Sequence, residues 1–260
     1  MKSIVYYFTG TGNSLEVAKS IAAALPNCKL VSMGKGRHDS SEVYDTIGFV
    51  YPTYAFNLPR RVAQFLHESS FEKSKDAYYF AVTASGGRSV CSLSVFAKAL
   101  KKRGVTLHFA EEFATAANAV TMYAMPERNA ESQQVASENI PALVQKIISK
   151  TQQPAGKLNE PLNVSTAIFL KLFLAGKKKG YHASDVCTGC GTCAAICPVA
   201  NIQMENNKPS FQRNCEQCMA CIQWCPTQAL NYKNKTQNRG RYQNPNITMQ
   251  ELKAGNENKK

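Results

Sequence analysis

Eight of the ten cysteines fall between Cys187 and Pro226, in two runs of the form C-x-x-C-x-x-C-x-x-x-C-P. The first is Cys187, Cys190, Cys193 and Cys197 with Pro198; the second is Cys215, Cys218, Cys221 and Cys225 with Pro226. Thiols at this density form disulfides or bind metal. Disulfides need an oxidising compartment, and the chain starts MKSIVYYF, without the long apolar run and small-residue cleavage site of a secretory signal. Zinc sites take two C-x-x-C pairs, which leaves a third spaced cysteine and a C-P, each present twice, without a role. The duplicated pattern points to two 4Fe-4S clusters.

The spacing is that of bacterial two-cluster ferredoxins. Three thiolates two residues apart wrap one face of an iron-sulfur cube, and the fourth, before a proline that turns the chain away, is carried to the neighbouring cube. The expected ligand sets are therefore crossed: Cys187, Cys190, Cys193 and Cys225 for one cluster, Cys215, Cys218, Cys221 and Cys197 for the other.

A second chemical signal lies at the start of the chain. Ser3 to Phe8 reads as a β-strand, then come Thr9, Gly10, Thr11, Gly12, Asn13 and Ser14, then a helical pattern with Leu15, Ala18, Ile21, Ala22 and Leu25 on one face up to Pro26. Strand, glycine loop and helix make an anion site, because loop amides and the helix N-terminus point at the ligand. Leu15 stands where a dinucleotide fingerprint needs its third glycine, and the G-K-[ST] of a P-loop is absent. A loop of neutral hydroxyls and one amide suits a single terminal phosphate. The stretch resembles the loop with which flavodoxins hold FMN.

The elements that must position this loop follow in alternation: strands at Leu30 to Met33, Thr46 to Tyr51, Ala77 to Ala84 and Thr106 to Glu111. Helices are expected from Pro59 to Leu66, Val90 to Lys102 and Ser132 to Ser149. Such alternation builds a doubly wound parallel sheet covered on both faces, with ligands outside the carboxyl ends of its strands. Two further loops fall on that edge. Pro52, Thr53, Tyr54, Ala55, Phe56 and Asn57 offer flat rings to cover an isoalloxazine, and Ser85, Gly86 and Gly87 offer backbone for its polar edge. Residues 1 to about 150 resemble the short-chain flavodoxin fold, although members are usually acidic and this half sums to +5.

The domain reading is a flavodoxin-like α/β domain over 1–151, a linker with an apolar helix over 152–180, a small α+β two-cluster ferredoxin domain over 181–235 and a polar basic tail over 236–260. Val164 to Ala175 is apolar, too short to span a bilayer and interrupted by Lys171; with Lys177, Lys178 and Lys179 after it, it suits a membrane surface or, as expected here, packing against the body of the protein. In the ferredoxin module, Asn201 to Phe211 reads as a hairpin, and Ala229 to Tyr232 repeats its first strand. Arg239-Gly240-Arg241-Tyr242 lacks the repeated aromatic platforms of a single-strand binder; the tail is expected to lie on the ferredoxin module, and its last ten residues to be disordered. His38, His67, His108 and His182 are scattered, and Cys28 and Cys91 read as inert thiols.

Taken whole, residues 1 to about 245 resemble the flavodoxin-ferredoxin fusions of anaerobic bacteria and archaea, sometimes called ferrodoxins. The motifs are T-G-T-G-N-S, C-P-V-A-N-I from Cys197, N-C-E-Q-C-M-A-C-I-Q-W-C-P from Asn214 and R-G-R-Y-Q-N-P from Arg239. The resemblance implies FMN, two 4Fe-4S clusters and electron transfer; with no secretory signal or membrane-length apolar run in view, the expected location is the cytoplasm. Net charge +13 favours an acidic partner, expected to be a redox protein, and is also what a nucleic-acid binder shows, although the tail lacks that binder's stacking platforms. A flavin-dependent reductase of a small substrate, an iron-sulfur redox sensor and a nucleic-acid binder remain alternatives. Crossed ligation makes a sharp prediction: Cys197→Ala should damage the cluster completed by Cys215, Cys218 and Cys221, and EPR showing selective loss of the other cluster would overturn the assignment.

Overall fold

The structure, a computed structural model, describes residues 1–34, 37, 41–175 and 180–256. His38, the basic flank at 176–179 and the last four residues lie outside the described residues. Five parallel strands, β1 (Ser3–Tyr7), β2 (Cys28–Ser32), β3 (Thr46–Pro52), β4 (Tyr78–Ser85) and β5 (Phe109–Ala114), form one sheet in the order β2-β1-β3-β4-β5. Successive residues of a strand face opposite sides. Ile4, Tyr6 and Phe8 accordingly join Phe49, Phe65 and Phe96 in one core, and Val5 and Tyr7 join Leu15, Ile21 and Leu143 in another. The first core lies under α2 (Arg60–Glu68) and α3 (Ser92–Lys101), the second under α1 (Asn13–Ala24) and α4 (Asn129–Ile148). Gly48 is required at the centre of β3, because a Cβ there would lie 2.0 Å from the Phe80 ring.

β5 starts three residues beyond its expected position. The turn that closes α3, with Gly104 at φ 81°, leaves Val105 and Leu107 to bring the chain back to the sheet, and both are buried. The sheet reverses direction between β1 and β3, so the loops after these strands open at the switch point where ligands enter such folds.

The cysteine-rich module is a repeat in its backbone as well as its sequence. β6 (Tyr181–Ala183) pairs antiparallel with β9 (Leu230–Tyr232), and β7 (Ile202–Glu205) with β8 (Lys208–Phe211). Asn206 and Asn207, both at positive φ, form the tight turn of that hairpin. Each cysteine run contains a single helical turn, α6 (Thr192–Ala195) and α7 (Ala220–Gln223). Equivalent positions take the same left-handed backbone: Gly189 and Gln217, Gly191 and Met219, Ala200 and Gln228.

One expectation is narrowed and another corrected. The apolar helix α5 (Glu160–Ala175) packs against the body of the protein as expected, but along one side only: Thr166 and Leu174 are buried, Phe173 packs on the core, and the opposite side is exposed. It is held through Asn57, whose side-chain amide donates to Thr166 Oγ1 at 2.9 Å and to Asn163 Oδ1 at 3.4 Å. Against expectation, the described residues of the terminal segment do not lack structure. α8 (Met249–Asn256) buries Leu252, and Asn256 donates to the Ile196 carbonyl at 2.8 Å.

Before α8 the chain forms a strap across the first domain. Arg239 donates to the Val120 carbonyl at 2.7 Å, and the Asn244 amide N–H to the Thr11 carbonyl at 3.1 Å. The Tyr242 hydroxyl lies 2.7 Å from Asn13 Oδ1 and 2.9 Å from Gln133 Oε1. Glu16, buried in the first turn of α1, accepts from Gln133, Ser137, Asn244 and Asn246 at 2.6 to 2.7 Å. Such a carboxylate needs every donor it has, since a buried charge is costly unless fully hydrogen-bonded. Tyr242→Phe removes the strap's hydroxyl from this buried network and should cost about 1–3 kcal/mol. Chemical denaturation of the holoprotein reads the change; an unaltered midpoint would show that the strap adds nothing to stability.

Candidate functional site: a flavin cavity beside two cysteine quartets

At the carboxyl edge of the sheet lies a cavity of about 260 Å³, and the three expected loops all line it. From the first come Thr9, Gly10, Thr11, Asn13 and Ser14; from the second Pro52, Thr53, Tyr54, Ala55 and Phe56; from the third Ser85, Gly86 and Gly87. Gly12 and Asn57 are not in the lining. Gly12 instead shapes the first loop: at φ 111° it caps α1, and its N–H donates to Thr9 Oγ1 at 3.1 Å. Thr11 Oγ1 accepts from Asn118 at 2.6 Å. Asn13 donates to the Ala116 carbonyl and accepts from Asn244, so its side chain ties the loop to its neighbours. The amides of the first turn of α1 have no acceptor within the helix, which is the donor set a terminal phosphate needs.

The second loop is a tight turn in which Ala55 and Phe56 have positive φ and Tyr54 and Asn57 bond backbone to backbone. It holds the Tyr54 ring edge-on to Phe8 and leaves Phe56 exposed, stacked on Phe169 of α5 with ring centres 6.3 Å apart. In the third loop, Gly86 has no room for a side chain, since its Cβ would lie 2.5 Å from Ala117; Gly87 is open. Sequence reasoning missed three parts of the wall: the loop after β5 (Thr115 to Ala119, with Met122 and Tyr123), Phe169 and Phe173 of α5, and Gln217, Cys218 and Met219 of the second cysteine run. The first was recoverable, because β5 is parallel to the other strands and its following loop must reach the same edge. Nothing local in the sequence marks the other two.

The eight thiols separate into the crossed sets. One small cavity is lined by Cys197, Cys215, Cys218 and Cys221, and another by Cys187, Cys190, Cys193 and Cys225. Burial pushes the Cys193 and Cys215 thiols up to about 11, and those of Cys218 and Cys221 well above their usual range; thiols of the same set add to the effect. Cys190 is exposed, and its thiol is held lower by the Thr192 hydroxyl. Among the described residues no three His, Cys, Asp or Glu close on a single ion. Four thiols round a shared space, with no imidazole in either lining and the one acid, Glu216, paired with Arg60, fit an iron-sulfur cube. Buried thiols that resist ionisation alone would give up their protons on binding iron, so a bound cluster would be held by the four thiols of each set and would stabilise this module.

The two sites abut. Cys218 and Met219 line both the flavin cavity and the nearer cysteine cavity. A Cβ on Gly10 would lie 2.2 Å from the Cys218 carbonyl, and one on Gly34 2.4 Å from the Pro198 carbonyl. The Tyr54 phenol is pushed well up by burial, with Cys218, Glu216 and Cys215 adding to it, which puts this ring beside the same thiols. Arg60 donates to Glu216 at 2.8 Å; burial raises the Glu216 carboxyl and Arg60 opposes that rise. Among the described residues, none of the histidines lines the cavity. His108 accepts the Tyr79 N–H at 3.0 Å and is lowered by burial. Cys91 is buried, and burial raises the Cys28 thiol to about 11.

Residues 4–104 match the model of a flavodoxin domain, and residues 179–226 that of a 4Fe-4S dicluster domain. Similar solved structures include a flavodoxin from the domain Archaea (15% identity, 56% of this chain and 99% of that one, TM-score 0.38). Oxidised Flavodoxin 2 from Bacillus cereus is 18% identical, over 56% of this chain and 99% of that one, with a TM-score of 0.38. Two-electron reduced Megasphaera elsdenii flavodoxin is 18% identical over 54% and 98%, with a TM-score of 0.37. No curated protein matches. Strand order and the two family matches together define an electron-transfer iron-sulfur flavoprotein. Its layout, a flavodoxin domain followed by a 4Fe-4S dicluster domain, is that of a flavodoxin-ferredoxin fusion.

Gly10→Ala tests the abutment. The added methyl meets backbone, not a yielding side chain, so both flavin content and the cluster at Cys218 should fall in the purified protein, by iron and flavin assay. Loss of flavin with full iron would mean that Gly10 serves the phosphate alone.

Proposed function

We propose that the protein carries electrons between two 4Fe-4S clusters and FMN, and on to a redox partner. Cys187, Cys190, Cys193 and Cys225 would hold the outer cluster, and Cys215, Cys218, Cys221 and Cys197 the inner one. Thr9 to Ser14 would hold the FMN phosphate, with Pro52 to Asn57 and Ser85 to Gly87 about the ring. When bound, each cluster supplies one-electron chemistry and the flavin one- or two-electron chemistry, so the fusion suits exchange between one- and two-electron partners.

The observation that carries this reading is the position of Cys218, in the wall of both cavities. The chain's own residues do the positioning. Cys197 and Cys225 cross between the runs and lock the two quartets together. Gly10 admits the Cys218 backbone against the phosphate loop, and the Tyr54 and Met219 side chains fill the space between the sites. Cys190, exposed in the outer quartet, marks where a partner gains access. Net charge +13 on the chain suits an acidic partner surface.

Anaerobic purification with iron, sulfide and flavin assays, followed by stepwise reduction watched in the visible and by EPR, tests the whole reading. About eight iron atoms and one FMN per chain, with cluster and flavin signals equilibrating, are expected. Eight iron without flavin, or flavin that stays oxidised while the clusters are reduced, would overturn it.

A further inference from the structure

The helix α5 meets the protein along one side, through Asn163 and Thr166 bonded to Asn57, Phe169 stacked on Phe56, and the buried Leu174, and it is apolar on the other side as well. Its outward face carries Val164, Ile168 and Leu172, spaced i, i+4, i+8 and 54 to 65% exposed. Ala167 and Ala175 extend that face, and Leu162 and Phe169 flank it, all exposed. Exposed single apolar side chains are ordinary; a continuous row along about three turns marks a surface that something covers. Glu160, the helix's only acid, is engaged by Lys98. Lys171 lies exposed among the apolar residues, and the sequence continues into Lys177, Lys178 and Lys179.

We infer that α5 seats the protein on the surface of a bilayer rich in anionic lipid, lying in the interface plane. Two observations select lipid over a protein partner. Protein interfaces carry about one hydrogen bond per 100–200 Å² and favour aromatic and Arg anchors. The centre of this face offers Ser165 as its only uncharged polar side chain, and aliphatic groups otherwise. The charge is lysine, gathered at one end of the helix, the pattern by which an amphipathic segment is held to anionic headgroups. No described helix is long and apolar enough to cross a membrane, so the association is with the surface. Phe169 and Phe173 belong to both α5 and the wall of the sheet-edge cavity, so the seated helix borders that cavity.

The test is flotation of the purified holoprotein with phosphatidylcholine vesicles, with and without phosphatidylglycerol. Wild type should float with the anionic vesicles, poorly with the neutral ones, and less as salt is raised. Ile168→Glu/Leu172→Glu should cut anionic-vesicle binding by at least about tenfold, while visible absorbance and thermal unfolding show that cofactors and fold are kept. Lys171→Glu, which leaves the apolar row intact, should weaken binding and flatten its salt dependence. Failure of wild type to float, or equal flotation of the double variant, overturns the inference. So does a wild-type dimer that the double variant breaks in the absence of any vesicle binding, since the cover is then a second copy of the chain.

Discussion

Close approach of two loops governs this molecule. The phosphate loop at the switch point of the sheet and the second cysteine run touch backbone to backbone at Gly10 and Cys218, at a separation that leaves no room for even a methyl group. Everything around that contact keeps it in place. β1 and α1 fix the loop from below, Arg60 and Glu216 pin the cysteine run beside it, and Gly34 admits Pro198 on the same edge.

The strap adds a third constraint. A buried carboxylate in the first turn of a helix that would also receive a phosphate is electrostatically awkward, because both compete for the same positive helix end. Glu16 is hydrogen-bonded by four donors, two of them from the strap. The last described residues then return to the cysteine module through Asn256 and Ile196. The chain thus closes a circuit, from the first domain to the cysteine module and back over the phosphate loop.

How legible was this in the sequence? The thiol spacing could be read outright, because ligand geometry is a local property of the chain and the pattern occurs twice. Strand and helix alternation gave the sheet, and the rule that parallel strands end on one edge gathered the three loops that line the sheet-edge cavity. What could not be read were relations between distant segments. Asn244, Asn246 and Tyr242 look like any polar tail until Glu16 lies opposite them. Gly10 reads as a phosphate-loop glycine, and only the arrival of Cys218 reveals what its missing side chain accommodates. The outward face of α5 is hidden in the sequence for a related reason: apolar composition signals burial on average, and here only one side of the helix, with Asn163, Thr166, Phe169, Phe173 and Leu174, meets the protein.

The contact at Gly10 also bears on inheritance and on engineering. Two modules joined by a linker invite being exchanged, one flavodoxin part for another, one ferredoxin part for another. A graft at this junction inherits two surfaces that were fitted to each other, with a glycine on one side and a carbonyl on the other. A replacement flavin module with any side chain at that position would arrive unable to dock, however well it folded by itself, so the two halves are expected to vary as one unit rather than as interchangeable parts.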